Sequence, residues 1–363
     1  MKVRTIDTSD SRLLQPEAAL SVVGSSQVAL SPEQIASWRE AGYALVDGLF
    51  PAELIESLRA DAASAYPPPG SREAESITDF GSEGGFVFPS GSVAFNSVTL
   101  YPALLGAVAE LLGTSIAELR LTQSDLWPKY GPNVDASDGG KYKARDAYDN
   151  QDQRIHVDYP NHMLAHPTPW QRPEAVEAIL YLSDFEDCGG PTAIVPRMGE
   201  DDPCYPWPIV DTPGVGDLHY VNDRQSAEKY MAVERPETAE FRAALYARER
   251  YVCYQPGTLL LYRHDAWHRG TPLRPGTCRL AQNLSFRKAE CEWISTLHVG
   301  WAWQLYRRDQ AFAKLLASAS LDQRAVLGFP QPGASYWCEQ TVEAVKARYG
   351  VFGMDMTPYS DAL

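Results

Sequence analysis

His156 and Asp158 stand two apart in the run Arg154 to Tyr159, with Ile155 and Val157 alternating around them. On an extended strand this alternation puts the two apolar residues on one face and the imidazole and carboxylate on the other. Two ligands so placed bite a metal from adjacent coordination positions. The pair alone is a weak signal, because with seven histidines roughly one His-x-Asp/Glu arises by chance. About 110 residues further on, Gly257 to Thr271 reads as an apolar strand ending near His268, and Arg279 follows eleven residues after that histidine. Two histidines and one carboxylate with the other positions open suit non-haem Fe(II) and dioxygen. A fork-shaped cation nearby suits an anchored dicarboxylate. His264 competes for the third position, since it shares strand parity with His268; the downstream Arg279 favours His268.

Those residues need a rigid frame, and the chain carries signals for one. Ser31 before Pro32 and Glu33 predicts a helix start. Gly42 to Val46 reads as a short strand, and Pro51 opens a helix to about Ala65, broken by the three prolines between Tyr66 and Gly70. Pro102 to Leu112 has apolar residues at helical spacing and stops at Gly113. Short β-like runs then dominate: Leu119–Trp127, Arg154–Tyr159, Ala178–Phe185, Thr192–Val195, Tyr251–Tyr254, Thr258–Arg263 and Cys278–Phe286. Helical character returns at Trp303–Ser318 and Glu339–Arg348. The expected fold class is mainly β with flanking helices, a sandwich or barrel with helices on one side. Gly131–Gln153 and Gly199–Val233 are aperiodic and read as long loops of the kind that carry binding residues. Residues 1–28 read as a polar lead-in and 29–363 as one domain, with a core at about 119–288 and C-terminal helices at about 303–348.

Composition narrows the function. The chain has 363 residues, 44% hydrophobic and 11% aromatic, with 47 acidic against 32 basic residues and a net charge of −15. That balance speaks against a sequence-independent nucleic-acid binder, which needs a basic footprint, and against docking on an anionic membrane. No apolar run approaches the roughly 18 residues of a membrane span, and Met1 to Pro16 has no apolar signal core. Six cysteines without a C-x-x-C pair read as reduced thiols. No dinucleotide or phosphate loop, G-x-S-x-G elbow or H-E-x-x-H is present. A cytoplasmic protein with a small-molecule partner is expected; the oligomeric state is not legible.

The sequence also resembles the phytanoyl-CoA dioxygenase-like branch of the Fe(II)/2-oxoglutarate oxygenases, over about Leu30 to Gly333. The resemblance rests on the opening segment Leu30 to Phe50, on His156-Val-Asp158, on Ala178 to Pro196 with its Gly189-Gly-Pro, on His268 and Arg279, and on Leu327 to Gly333. It implies a double-stranded β-helix (jelly-roll) core, Fe(II) held by His156, Asp158 and His268, and 2-oxoglutarate and O₂ as cosubstrates, with Arg279 on the distal carboxylate. Lys129 resembles a family lysine that touches cosubstrate or substrate. A hydroxyl residue often lies two places after the distal histidine; here that place is Gly270, and Thr271 is the substitute. Asp158, where halogenating relatives have Ala or Gly, favours hydroxylation.

Trp127, Tyr130, Tyr159, Asn161, His162, Trp170 and Trp267 flank these motifs and are the candidates for lining a substrate pocket. The acidic chain is a poor fit for a CoA phosphate site, so the expected substrate is a small metabolite or natural-product intermediate. The alternatives are a zinc-dependent hydrolase or isomerase on a cupin-like barrel, and a non-catalytic β-barrel binding protein.

Overall fold

The computed structural model describes residues 19–20, 29–77, 86–132, 147–291, 293 and 310–363. Most of the lead-in, residues 133–146 of the first long loop and 303–309 of the expected Trp303 helix lie outside the described residues.

Ten strands occur among the described residues: β1 Ala19–Leu20, β2 Tyr43–Val46, β3 Phe86–Val87, β4 Leu119–Tyr130, β5 Ala175–Tyr181, β6 Thr192–Ile194, β7 Arg250–Val252, β8 Leu259–Tyr262, β9 His268–Gly270 and β10 Cys278–Lys288. They form a larger sheet, β2-β8-β5-β10-β4-β3, and a smaller one, β1-β7-β6-β9. His156 extends the smaller sheet by an antiparallel bridge to His268. From β4 onward the chain steps back and forth between the two sheets. That is the jelly-roll topology.

Directly opposed residues of paired strands share a face, so the register sets rows across the larger sheet. Gln123, Ser285, Glu177 and Tyr262 form one row; Asp125, Asn283, Ile179 and Leu260 form the next. Trp127, Ala281 and Tyr181 form a third, and Lys129 and Arg279 a fourth. The other face carries Leu126, Val176, Ala178, Leu180, Leu284 and Phe286, buried with Leu58 of the helix Ala52–Ala65 and Leu104, Val108 and Leu111 of the helix Pro102–Leu112. Each such side chain contributes about 1.5–3 kcal/mol on burial. A one-residue slip would exchange that apolar set for the polar rows, so packing pins the register.

Local chemistry fixes the element ends. Ser31 Oγ accepts from Gln34 N while Gln34 Oε1 accepts from Ser31 N, a capping box that starts the helix Pro32–Ala41. Gly42 ends it at φ 93°, a conformation that costs glycine nothing.

The structure corrects several sequence expectations. Arg154–Tyr159 keeps its alternation but is no continuous strand: Asp158 is already helical (φ −88°, ψ −16°), and Pro160 lies in the turn Tyr159–His162. The strand beginning near Gly257 ends at Tyr262, where the buried Arg263–Asp265 ion pair (2.8 Å) organises a turn; His268 opens a separate strand. The shared parity of His264 and His268 therefore does not hold. The supposed loop Gly199–Val233 contains most of a helix, Arg224–Glu234, capped by Asp223 accepting from Ser226 N at 2.8 Å. Val93–Leu112 is, contrary to expectation, long and apolar enough to cross a membrane (20 residues, hydropathy 1.3). Small polar residues interrupt its apolar runs, which is why no single run stood out. Here it forms two helices, Val93–Thr99 and Pro102–Leu112, half buried in the fold. All six cysteines are free thiols.

Candidate metal centre

Ile155 and Val157 are buried in a cluster with Met163, Trp267, Val345 and Tyr349, which leaves His156 and Asp158 to the opposite side. Main-chain bonds lock the segment: His156 N donates to His268 O at 2.9 Å and His268 N returns to His156 O at 2.8 Å. The N–H groups of Asp158 and Tyr159 both donate to His264 O at 2.9 Å. His264 thus acts through its carbonyl.

The side chains converge. His268 Nε2 lies 3.2 Å from Asp158 Oδ2 and His156 Nε2 lies 3.5 Å from Asp158 Oδ1. One ligating atom from each lies within 4.8 Å of the others. His156 Nδ1 and His268 Nδ1 are each 3.0 Å from a main-chain oxygen, of Arg154 and Ala266. A carbonyl only accepts, so each Nδ1 carries hydrogen and each ring presents Nε2 to the carboxylate, the atom whose lone pair a metal would take from the neutral imidazole. Two lone pairs and an anion around one point suit a divalent cation, with coordination positions left over. Tyr262, which sequence reasoning missed, donates from its hydroxyl to Asp158 Oδ2 at 2.6 Å.

The charges respond to burial and to each other. Burial pushes His156 down to about 3, with His268 adding to the effect. Burial opposes a charged Asp158, but His268 and His156 beside it prevail and hold its carboxyl well below the usual range. His268 is raised: burial works against its cation, and the Asp158 charge outweighs burial. Burial, followed by the Asp158 charge, raises the Tyr262 hydroxyl well above its ordinary value.

At the far end of the inner face stand two buried cations. Arg279 Nη1 donates to Gly190 O at 2.6 Å, its Nε has no acceptor, and its guanidinium lies 5.8 Å from the Tyr181 ring centre. Lys129 Nζ donates to the carbonyls of Gln151 and Thr271, both at 3.0 Å. Burial, then the Arg279 charge, pushes the Lys129 ammonium well down. Among the described residues neither forms an ion pair with a carboxylate. A buried cation is costly unless an anion meets it, and the orphaned Nε is a donor awaiting an acceptor. Thr271 Oγ1 donates to Pro191 O at 2.6 Å. Gly270 is explained by crowding: a Cβ there would come within 2.5 Å of Gln153 Oε1 and 3.2 Å of Lys129 Nζ. The Gln153 side chain, which accepts from Gly270 N, fills the space that a side chain at 270 would take, with Lys129 just behind it.

The other expected residues scatter. Trp127 shares the third row of the inner face. Tyr130 has the opposite strand parity, and its hydroxyl donates to Pro67 O at 2.7 Å. Tyr159 and Trp267 lie in the hydrophobic cluster, the former donating to Ile209 O at 2.5 Å and the latter against Phe241. Trp170 donates from Nε1 to Arg39 O, and its ring lies under Arg263. It lines a cavity of about 590 Å³ with Arg172, Glu174 and Lys288, which contains none of the triad. Asn161 and His162 follow Asp158 on its turn. Sequence reasoning did not single out Glu177 and Asp125; parity along β4 puts Asp125 on the side of Lys129, but only the sheet register brings Glu177 to the same face.

No protein-family model matches the chain, and no curated protein matches it. Among solved structures it is similar to the non-heme alpha-ketoglutarate-dependent carbocyclase SnoK from nogalamycin biosynthesis, with 16% identity, 73% of this chain and 88% of that chain covered, and a TM-score of 0.45. It is similar to EctD from S. alaskensis in its apo form, with 17% identity, 76% and 82% covered, and a TM-score of 0.45. It is also similar to HygX from Streptomyces hygroscopicus with nickel and 2-oxoglutarate bound, with 16% identity, 72% and 88% covered, and a TM-score of 0.43. Likenesses this distant decide nothing about the chemistry of this chain.

Proposed function

We propose that the chain is an Fe(II)- and 2-oxoglutarate-dependent dioxygenase of the phytanoyl-CoA dioxygenase-like kind, hydroxylating a small metabolite or natural-product intermediate. The observation that carries this reading is the meeting of a His-Asp-His cluster with two buried, unpaired cations on one jelly-roll core. His156, Asp158 and His268 hold the iron. Arg279 takes the distal carboxylate of 2-oxoglutarate, its free Nε supplying a donor. Lys129 adds positive charge and fixes the Thr271 carbonyl, and Thr271 braces the strand after His268 through Pro191. Fe(II) with 2-oxoglutarate and O₂ supplies the oxidising power for C–H hydroxylation, with succinate and CO₂ as coproducts.

The chain's own residues orient this chemistry. The Arg154 and Ala266 carbonyls fix the tautomer of both histidines, and Tyr262 holds one oxygen of Asp158. The carboxylate at 158 fills the position that a halide would need, which favours hydroxylation. A zinc hydrolase would give Arg279 and Lys129 no anion to meet.

The test is an anaerobic titration of the protein with Fe(II) and then 2-oxoglutarate. A weak visible charge-transfer band that saturates at stoichiometric cosubstrate is expected. Absence of the band together with absence of iron binding would overturn the reading.

A further inference from the structure

The inner face of the larger sheet has a second charged end that the chemistry above does not use. Glu177 and Asp125 stand in its first two rows and are 3% and 4% exposed. Glu177 Oε2 accepts from Ser285 Oγ, but its Oε1 has no hydrogen-bond donor, and His162 Nε2 lies 3.8 Å from it. Asp125 accepts from the neutral amides of Gln123, at 2.7 Å, and Asn283, at 3.4 Å. Among the described residues no lysine or arginine forms an ion pair with either carboxylate.

Elsewhere in this fold most buried acids meet an arginine or a full set of donors, although Asp47 also keeps one oxygen without a donor. Asp265 meets Arg263 at 2.8 Å, Glu249 meets Arg269 at 2.5 Å and Asp202 meets Arg248 at 2.6 Å. Glu174, without an arginine, has each oxygen on a donor, Thr168 N and Trp293 Nε1. Glu177 breaks that pattern, since neither an arginine nor a donor meets its Oε1, and Asp125 beside it has only neutral amides on its oxygens; both stand near the candidate metal site. Tyr262 is the cross-strand neighbour of Glu177 and donates to Asp158. Asn161, on the turn after Asp158, adds a second buried acceptor without a donor, its Oδ1.

The two buried carboxylates lack positive charge, and Glu177 Oε1 and Asn161 Oδ1 lack hydrogen-bond donors as well. A neutral polyol would bring only the donors. An ammonium or guanidinium brings both, in charge-assisted bonds. We propose that Glu177 and Asp125 form a subsite for a cationic nitrogen, so that the substrate is a small metabolite with a protonated amine or guanidinium held against this wall beside the metal. The proposal rests on the dioxygenase reading and specifies the substrate class of that same site.

The experiment uses pairs of probes alike in skeleton and different in charge: glucosamine with glucose, putrescine with butanediol, and arginine with citrulline. Binding to the full chain, loaded anaerobically with Fe(II) and 2-oxoglutarate, is followed by ligand-observed NMR and by perturbation of the visible band. At least one cationic member should bind at least ~10-fold tighter than its neutral twin, the scale of one charge-assisted bond. Glu177→Gln, which keeps the shape and removes the charge, should erase that preference. If no cationic member outbinds its twin, or the preference survives both Glu177→Gln and Asp125→Asn, the proposal is overturned. A parent protein that neither binds iron nor forms the band fails the dioxygenase reading instead, so the two failures are told apart.

Discussion

One face of one sheet ends in Lys129 and Arg279 on one side and in Asp125 and Glu177 on the other, all buried. These opposite charges do not neutralise each other. Lys129 and Asp125 project from the same face of β4 four residues apart, about 14 Å along the strand. The row of Trp127, Ala281 and Tyr181 separates them. Arg263–Asp265 and Arg269–Glu249 show the other solution, in which a buried charge is placed against its partner. Burying ions is costly, and a fold shaped by stability alone pairs them or replaces them with apolar residues. Arg324 and Arg348 are buried on carbonyls and a hydroxyl without an ion-paired carboxylate among the described residues, so an open charge points to a ligand here because it faces the candidate metal site. The contrast between closed and open buried charges locates function more sharply than burial or charge alone.

The proposed metal ligands serve both ends, so removing one should have the largest effect. His156→Ala or His268→Ala should abolish turnover and stoichiometric iron binding while circular dichroism keeps the parent spectrum. Asp158→Ala should lower hydroxylation by orders of magnitude. His264→Ala should retain iron, because His264 reaches the site through its carbonyl. Full activity with verified iron in the His156 or His268 variant would remove the triad from the mechanism.

The cationic end alone is tested by Arg279→Gln. The apparent Michaelis constant for 2-oxoglutarate should rise roughly 10- to 100-fold, the loss of a charge-assisted pair of ~1.5–3 kcal/mol. Iron affinity should hold, and shorter 2-oxo acids without the distal carboxylate should lose less. A variant that melts far lower with unchanged 2-oxoglutarate dependence would make Arg279 a purely structural residue. Smaller again is Tyr262→Phe, which removes the hydroxyl that orients Asp158. Groups supporting metal ligands are worth roughly 10-fold or more in metal affinity, so iron should bind about tenfold more weakly, read by competition with a chelator.

Much of this architecture was legible because short β-prone runs end at Gly, Pro and Asp turns, and alternation within Arg154–Tyr159 put His156 and Asp158 on one side. Arg279 was singled out by its distance from His268, and its strand register sets it opposite Lys129 on the inner face. What escaped has physical causes. The Arg263–Asp265 pair ends β8 early, which local β-propensity does not reveal. Polar Arg224–Glu234 lacks an apolar stripe, and its cap Asp223 was the only strong signal. Tyr262 and Glu177 are ordinary strand residues until register places them opposite each other. Tyr159 and Trp267 sit next to the proposed ligands in sequence, yet the turn that begins at Tyr159 and the alternation leading into the strand at His268 send both to the core.

The smallest effect tests the acidic end through stability. Burial raises the Asp125 carboxyl from 3.8 to about 6, with the Gln123 and Asn283 amides opposing it. The folded chain therefore holds this proton more tightly than the unfolded chain does. Between pH of about 4 and 6 the folded state carries the excess proton, so stability falls as pH rises through that window. The loss from this one group is on the order of 1–3 kcal/mol, a few degrees at most in Tm for a chain of this size. Asp125→Asn cannot ionise. Relative to the parent it should gain stability steadily from about pH 4 to pH 6 and keep a constant advantage above that, as followed by thermal melts of the metal-free protein. Other buried carboxyls such as Glu174, raised to about 7 by burial, shift both proteins alike and cancel in the difference. Parallel melting curves across this range would show that Asp125 ionises as freely as in water. The acidic wall would then be solvated, and the charge left open at that end of the sheet would belong to water rather than to a ligand.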